Sequence, residues 1–281
     1  MSKFIADREV PLEEAAAQIA PNSSKTTLKK WLVEGRLLLD GRPLRSLKGV
    51  MQTGSTLELG KRVQFLESGI KIFYEDNDLV VVEKPEGLLS VATAFEKGDT
   101  LHAILKRHYM PRKVQVVHRL DQDTSGVMVF ALSDMAFDRL KEMFASHQID
   151  REYEAIIEGH LKEPKGVWSC YLYEDQAYKV HVVEDEKKGQ LAVTHYEVAA
   201  ESRRFSRLRL RLETGRKNQI RVHCQQSGHS VVGDKKYGSV YNILGRLALH
   251  AALLGFQHPR TGKKLLFRSH TPDSFMKLVP K

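Results

Sequence analysis

Over the first sixty residues, apolar positions recur at helical intervals and then break into short runs around turn residues. In PLEEAAAQIA (11–20), Leu12, Ala15, Ala16 and Ile19 fall on one face of a predicted helix. Pro11 opens it, with Glu13 and Glu14 against the positive end of the helix dipole. SKTTLKKWLVEG (24–35) predicts a second helix with Leu28, Trp31 and Leu32 inward and Lys25, Lys29 and Lys30 outward. Gly35 stands where a C-terminal cap is expected. RLLLDGRPL then predicts a strand, an Asp40-Gly41 turn and a return strand, and TLEL (56–59) a further strand.

From residue 70 the period shortens to two. IKIFYEDNDLVVVEKP holds two strand-like runs around an Asp76-Asn77-Asp78 turn, and VMVFAL (127–132) is a third. Ser133 and Asp134 open an amphipathic helix carrying Phe137, Leu140 and Phe144. REYEAIIEG (151–159), QLAVTHYEVAA (190–200) and FSRLRLRLE (205–213) suit strands. The last alternates Leu208, Leu210 and Leu212 with Arg207, Arg209 and Arg211, the pattern of a half-buried antiparallel sheet with its arginines on a solvated face.

Charge narrows the partners. The 281 residues carry 44 Lys+Arg against 35 Asp+Glu, a net charge of +9. The excess is clustered: residues 21–48 hold seven Lys/Arg and two acids, and residues 200–236 hold ten and three. Two basic patches favour a polyanionic partner such as RNA. Cys170 and Cys224 are too few for a disulfide framework and are expected as reduced thiols. The charged N-terminus lacks an apolar signal core, and no run is long enough to span a bilayer, so a cytoplasmic location without membrane attachment is expected.

Between two β-rich runs lies the polar nonapeptide HRLDQDTSG (118–126), which presents Arg119, Asp121, Asp123, Thr124 and Ser125 near one opening. Taken alone it reads equally as a turn, since Asp, Thr, Ser and Gly all favour turns. Alternating Asp121 and Asp123 hint at a metal loop, but the third acid and the bidentate Glu of a calcium loop are missing. The nonapeptide matches HRLD-x-x-TSG, the signature of the pseudouridine synthases of large-subunit ribosomal RNA and their relatives, at all seven fixed positions. VVVEKPEGLLSV, REYEAIIEG and TGRKNQIRVH…GHSVVGDKKYG resemble three further blocks of that family, in the family's order. The resemblance covers about residues 70–281. Arg151 replaces a usual lysine, Lys217 and Asn218 a usual threonine and histidine, and Ser230 and Val231 a usual proline and isoleucine. The N-terminal segment resembles the small S-four-like RNA-binding domain, a frequent companion of the family; the open alternative is a helical cap on the larger domain.

The resemblance implies an α+β chain. A small α+β RNA-binding domain over 1–67 precedes a catalytic domain over 68–281, built on a mixed, largely antiparallel sheet with flanking helices. It implies an isomerase that breaks the bond from uracil nitrogen 1 to ribose and rejoins the base through carbon 5. Glycosidic cleavage develops positive charge at the sugar, which a carboxylate stabilises or attacks. By resemblance that carboxylate is Asp121, whether by attack on the sugar, attack on the base or removal of a ribose proton, and it is paired with Arg221, whose planar fork can hold it. Tyr153 stacks on the base and helps move the carbon 5 proton, Ile220 packs beneath it, and Arg119 fills the space left by the flipped nucleotide, the open alternative being a phosphate contact. Lys84 and His118 are expected at the substrate-binding surface. Lys25, Lys29, Lys30, Arg36 and Arg42 are the candidate RNA contacts of the N-terminal domain.

Rival chemistries lack their signatures. GHSVVGDKKYG is not a P-loop, because Asp-Lys-Lys follows its second glycine, and no G-x-G-x-x-G occurs. His223, Cys224 and His229 have no CxxC or HExxH beside them. The expectation is no cofactor, a monomer without an obligate protein partner, and ribosomal RNA or a pre-ribosomal particle as the target, with transfer RNA second. The alternative function is a non-catalytic RNA-binding or ribosome-assembly protein, which would have no use for a carboxylate facing phosphates.

Overall fold

The helix read from Leu12, Ala15, Ala16 and Ile19 forms over Leu12–Ile19 and buries those four side chains. The structure is a computed structural model describing residues 3–21, 23–33, 36–44, 46–60, 64–66, 68–92 and 99–280. The chain divides into two compact units, Met1–Phe65 and Leu66–Lys281. In the first, the helix Lys25–Val33 leaves Lys25, Lys29 and Lys30 exposed. Its Leu28, Trp31 and Leu32 pack on a core of Leu12, Ala16, Leu37, Met51 and Leu57. Asp40 and Gly41 both take positive φ (49° and 75°), as a two-residue hairpin turn requires, and join strands Leu37–Leu39 and Arg42–Pro43. These pair with Thr56–Leu59 and Lys3–Ile5 in a four-stranded antiparallel sheet. The expected Gly35 cap and the side chain of Arg42 lie outside the described residues.

The second unit is built on one large sheet. Its strands and helices are β1 (Lys71–Glu75), β2 (Leu79–Lys84), α1 (Leu101–Tyr109), β3 (Gln115–Val116), β4 (Ser125–Ala131), α2 (Asp134–Ala145), β5 (Asp150–Glu158) and β6 (Lys165–Glu174). There follow β7 (Val180–Val183), β8 (Gln190–Glu201), β9 (Phe205–Leu212), α3 (Gln219–Gln226), β10 (Leu249–Gln257), β11 (Lys264–Arg268) and α4 (Asp273–Leu278). Neighbours run β7-β6-β8-β9-β5-β10-β4-β2-β1, with β3 on β4 and β11 on β10. The pairing is antiparallel except between β4 and β10, which run parallel. The mixed, largely antiparallel α+β class is therefore what the chain forms. β4 is buried along its whole length, so Val127, Val129 and Met128 pack on opposite faces of the sheet. Ser133 caps α2 by accepting from the Ala136 N–H.

The arginines of β9 do not share one environment. Arg209 and Arg211 are exposed as the alternation predicts, but Arg207 is buried, bonded to Glu154 and the sulfur of Met276. Its position is covered by α4, which a strand-period argument cannot foresee.

Candidate active site

The segment 117–124, between β3 and β4, carries Asp121 to the edge of a cavity of about 460 Å³. Its supports come from the preceding turn. Ser90 Oγ donates to the Leu120 carbonyl (2.7 Å) and accepts from the Leu120 N–H (3.1 Å). Lys84 Nζ donates to the carbonyls of Pro85, Leu88 and Gln122 at 2.8, 2.6 and 2.7 Å. At the loop's far end Gly126 has φ 124°, and a Cβ there would stand 2.2 Å from the Ala251 carbonyl oxygen. The last glycine of the motif thus permits the close parallel approach of β4 to β10.

α3 supplies the facing wall. Gln219 fixes its start by accepting from Thr214 Oγ1 and the Arg216 N–H, and by donating to the Val193 carbonyl and Thr194 Oγ1. Arg221 turns its fork onto Asp234, with Nε to Oδ2 at 2.6 Å and Nη2 to Oδ1 at 2.7 Å. Nη1 alone reaches Asp121 Oδ2, at 3.3 Å. Burial opposes the guanidinium charge, but the bonds and fields of Asp234 and Asp121 outweigh it and raise its pKa. Asn218, in the left-handed conformation that Asn tolerates (φ 53°), completes the set. Its amide nitrogen donates to Asp121 Oδ1 and Oδ2 at 3.1 and 2.8 Å, while its oxygen accepts from the Tyr237 hydroxyl at 2.9 Å. The Val180 N–H donates to that phenol oxygen at 3.2 Å, leaving the phenol proton for the amide oxygen. Only this amide orientation serves both neighbours.

Across the cavity, β5 presents Arg151 and Tyr153, two residues apart and so on one face. Burial, with Asp121 adding to it, pushes the Tyr153 phenol up to about 12, so it is neutral near pH 7. Ile220, Leu212 and Leu249 give the cavity apolar surface. Arg119 is exposed at the cavity and makes no ion pair or hydrogen bond among the described residues. His118 lines the cavity with a ring stacked on Phe144 (4.6 Å between centroids), its Nε2 accepting from the Val129 N–H. Burial, aided by Arg151, lowers it to about 3 and keeps it neutral.

Two expectations need correction. Lys84 is fully buried and spends all three donors on backbone carbonyls, so it braces the Asp121 loop and does not reach the substrate surface. Burial lowers it to about 8, with Asp123 and Asp121 pulling the other way. The Arg221 fork serves Asp234, and only one nitrogen is left for Asp121. Asp234, Asn218 and Tyr237 received no role from sequence reasoning. All three stand in the quoted blocks, where an acid near an arginine block was the available signal. Asp121 and Asp123 line different cavities and do not form a common ligand site. His223 bonds Thr194 and Cys170, and His229 the Glu158 carbonyl. Among the described residues one cluster, Asp76, Asp78 and His258, has ligand spacing. Its carboxylates are already engaged by Tyr74, Ser133 and the Arg260 fork.

The profile of the RNA pseudouridylate synthase family matches residues 78–226. The chain is 34% identical to ribosomal large subunit pseudouridine synthase D of Vibrio cholerae, over 95% of this chain and 90% of that protein. It is 33% identical to the protein of the same name from Escherichia coli K12, over 95% and 89%. Among solved structures, human RNA pseudouridylate synthase domain containing 4 superposes with a TM-score of 0.60 at 25% identity, over 73% of this chain and 90% of that one. Human RNA pseudouridylate synthase domain containing 1 gives 0.62 at 25%, over 72% and 84%.

Proposed function

The chain belongs to the RNA pseudouridylate synthase family, and from that premise we propose that it isomerises selected uridines of large-subunit ribosomal RNA, with Asp121 as the catalytic carboxylate. The relatives' names support that RNA over transfer RNA. A ribosomal target places the work in the cytoplasm, on free RNA or a pre-ribosomal particle, and the chain acts as a monomer. Among the described residues no helix is long and apolar enough to cross a membrane.

The observation that carries the reading is Asp121 itself, a carboxylate at the edge of a cavity with room for a flipped nucleotide, held by Arg221 and Asn218 beside neutral Tyr153. The target nucleotide swings out of the RNA at a cost of a few kcal/mol, and Arg119, which has no partner to leave among the described residues, takes its place. Asp121 meets the sugar as the nitrogen 1 bond breaks, and the bond's electron pair leaves on uracil. The base turns, carbon 5 bonds the sugar, carbon 5 loses its proton and nitrogen 1 gains one. Tyr153 packs on the base; as a neutral phenol it passes the carbon 5 proton in a relay, without standing as phenolate. Ile220 packs beneath the ring and His118 forms cavity wall. In the N-terminal unit, an S-four-like RNA-binding domain, exposed Lys25, Lys29 and Lys30 meet phosphate. Arg36 also stacks over Trp31 and donates to the Gly60 carbonyl, so it braces the unit. Arg42 belongs to the same proposed surface.

Asp121→Asn tests this. Single-turnover tritium release from RNA labelled at carbon 5 of uracil should be abolished while filter-binding affinity survives. A rate within about tenfold of the parent, less than about 1.4 kcal/mol of barrier, would sink the assignment.

A further inference from the structure

Arg151 is a buried cation left without a counter-charge. It is 8% exposed, and no ion pair forms with it among the described residues. Its Nη2 donates to the Glu213 carbonyl at 3.0 Å, and its guanidinium lies 5.8 Å from the centroid of the Phe144 ring. Nε is buried with no partner. Nη1 makes no hydrogen bond among the described residues and lies 2.4 Å from where a Cβ at position 215 would stand, so Gly215 leaves the room it occupies. Burial lowers the pKa of the group accordingly. An uncompensated buried charge costs stability, and Nη1, which has no partner among the described residues, is the nitrogen a ligand can meet; Nε stays enclosed, as does that of Arg207.

The position says which ligand. Arg151 shares the cavity-facing side of β5 with Tyr153, and its field is felt by Tyr153 and His118. Phosphates of a flipped nucleotide remain at the mouth, where exposed Arg119 and Arg216 stand. The base is the part that enters to the depth of a side chain so little exposed. We propose that Arg151 Nη1 donates to a carbonyl oxygen of the flipped uracil, and that this bond strengthens as the glycosidic bond breaks and negative charge spreads onto that oxygen. A bond stronger in the transition state than in the ground state accelerates the step. The inference rests on the reaction proposed above and adds the cationic partner of the departing base.

The test uses the full chain with Arg151→Met and Arg151→Lys, on target RNA carrying uridine, 2-thiouridine or 4-thiouridine labelled at carbon 5. Arg151→Met should lower the saturating single-turnover rate by about a hundredfold or more, as loss of an oxyanion donor does. RNA affinity and salt slope should hold, and the thermal midpoint should stay level or rise because a buried charge is gone. Arg151→Lys should restore part of the rate. Sulfur at the contacted oxygen should slow the parent and add nothing in Arg151→Met. A parental saturating rate, or a thio effect undiminished in the variant, overturns the proposal. A loss confined to affinity with a salt slope lower by about one overturns it in favour of phosphate, and a rate loss that tracks a fallen thermal midpoint in both variants overturns it in favour of a structural strut. If Asp121→Asn keeps its rate the reaction itself is misassigned; a dead Asp121→Asn beside a parental Arg151→Met refutes the uracil contact alone.

Discussion

Two arginines line the cavity, and their surroundings differ sharply. On the α3 wall, Arg221 has a buried carboxylate on its fork, a second carboxylate on Nη1 and the Tyr237 ring 5.0 Å away. On the β5 wall, Arg151 has one backbone carbonyl, the Phe144 ring 5.8 Å away and an orphaned nitrogen, with no carboxylate among the described residues. The first is satisfied within the protein, so its geometry is fixed before any ligand arrives, and what it fixes is Asp121. The second is left incomplete. Pre-organisation and unmet bonding capacity sit in one pocket: a group that holds a carboxylate is built rigid, and one proposed to answer charge appearing only during the reaction is kept available.

The largest effect should come from removing the satisfied side. Arg221→Met leaves Asp234 buried and unpaired, and breaking a buried pair costs about 3–5 kcal/mol. Urea unfolding should report a loss of that size, and the saturating single-turnover rate should fall by orders of magnitude. Arg221→Lys should recover little, since an ammonium cannot serve Asp234 and Asp121 at once. Parental stability in Arg221→Met would erase the contrast between the walls.

Next is Asn218→Asp, which keeps the shape but sets a second carboxylate against Asp121. A like charge raises the pKa of both. The active anion is then lost at higher pH, so the acid limb of the rate profile should move upward and the rate below it should drop about tenfold per pH unit. A profile superposable on the parent's would mean that Asn218 does not hold the carboxylate. Tyr237→Phe frees the amide to turn, and a smaller fall, with an unshifted limb, is the expected result.

Lys84→Met sharpens the comparison from beneath the loop. It strips the Pro85, Leu88 and Gln122 carbonyls of their donor, each costing up to about 1–3 kcal/mol where water does not replace it. Unfolding and rate should both suffer, with RNA affinity at saturation unchanged, whereas a substrate contact would lose affinity first. The smallest effect on chemistry belongs to Lys25, Lys29 and Lys30. Alanine at all three should flatten the dependence of log affinity on log salt by about three units and leave the saturating rate alone. An unchanged slope would make the N-terminal unit a cap on the fold.

The sequence by itself determined whatever is written within one element or one loop. Leu12, Ala15, Ala16 and Ile19 defined a helix face because side chains three and four apart are neighbours in any helix. Asp40-Gly41 defined a hairpin because few residue pairs accept two positive φ angles. Motif identity singled out Asp121, Tyr153, Ile220 and Arg221, and all four line one cavity. Tertiary structure decided which partner each polar group took. Lys84 looked like a substrate contact until folding brought three carbonyls to its amine. Arg221 looked like a fork for Asp121 until Asp234, thirteen residues on, claimed the fork. Arg207 looked solvated until α4 covered it. Arg151 was legible only as an arginine in place of a usual lysine; its one carbonyl partner at Glu213 and its room beside Gly215 come from the pairing of β5 with β9. The reason is common to all of them. Backbone periodicity is a local property of the chain, whereas the satisfaction of a buried donor or charge depends on residues far away in sequence that folding makes adjacent.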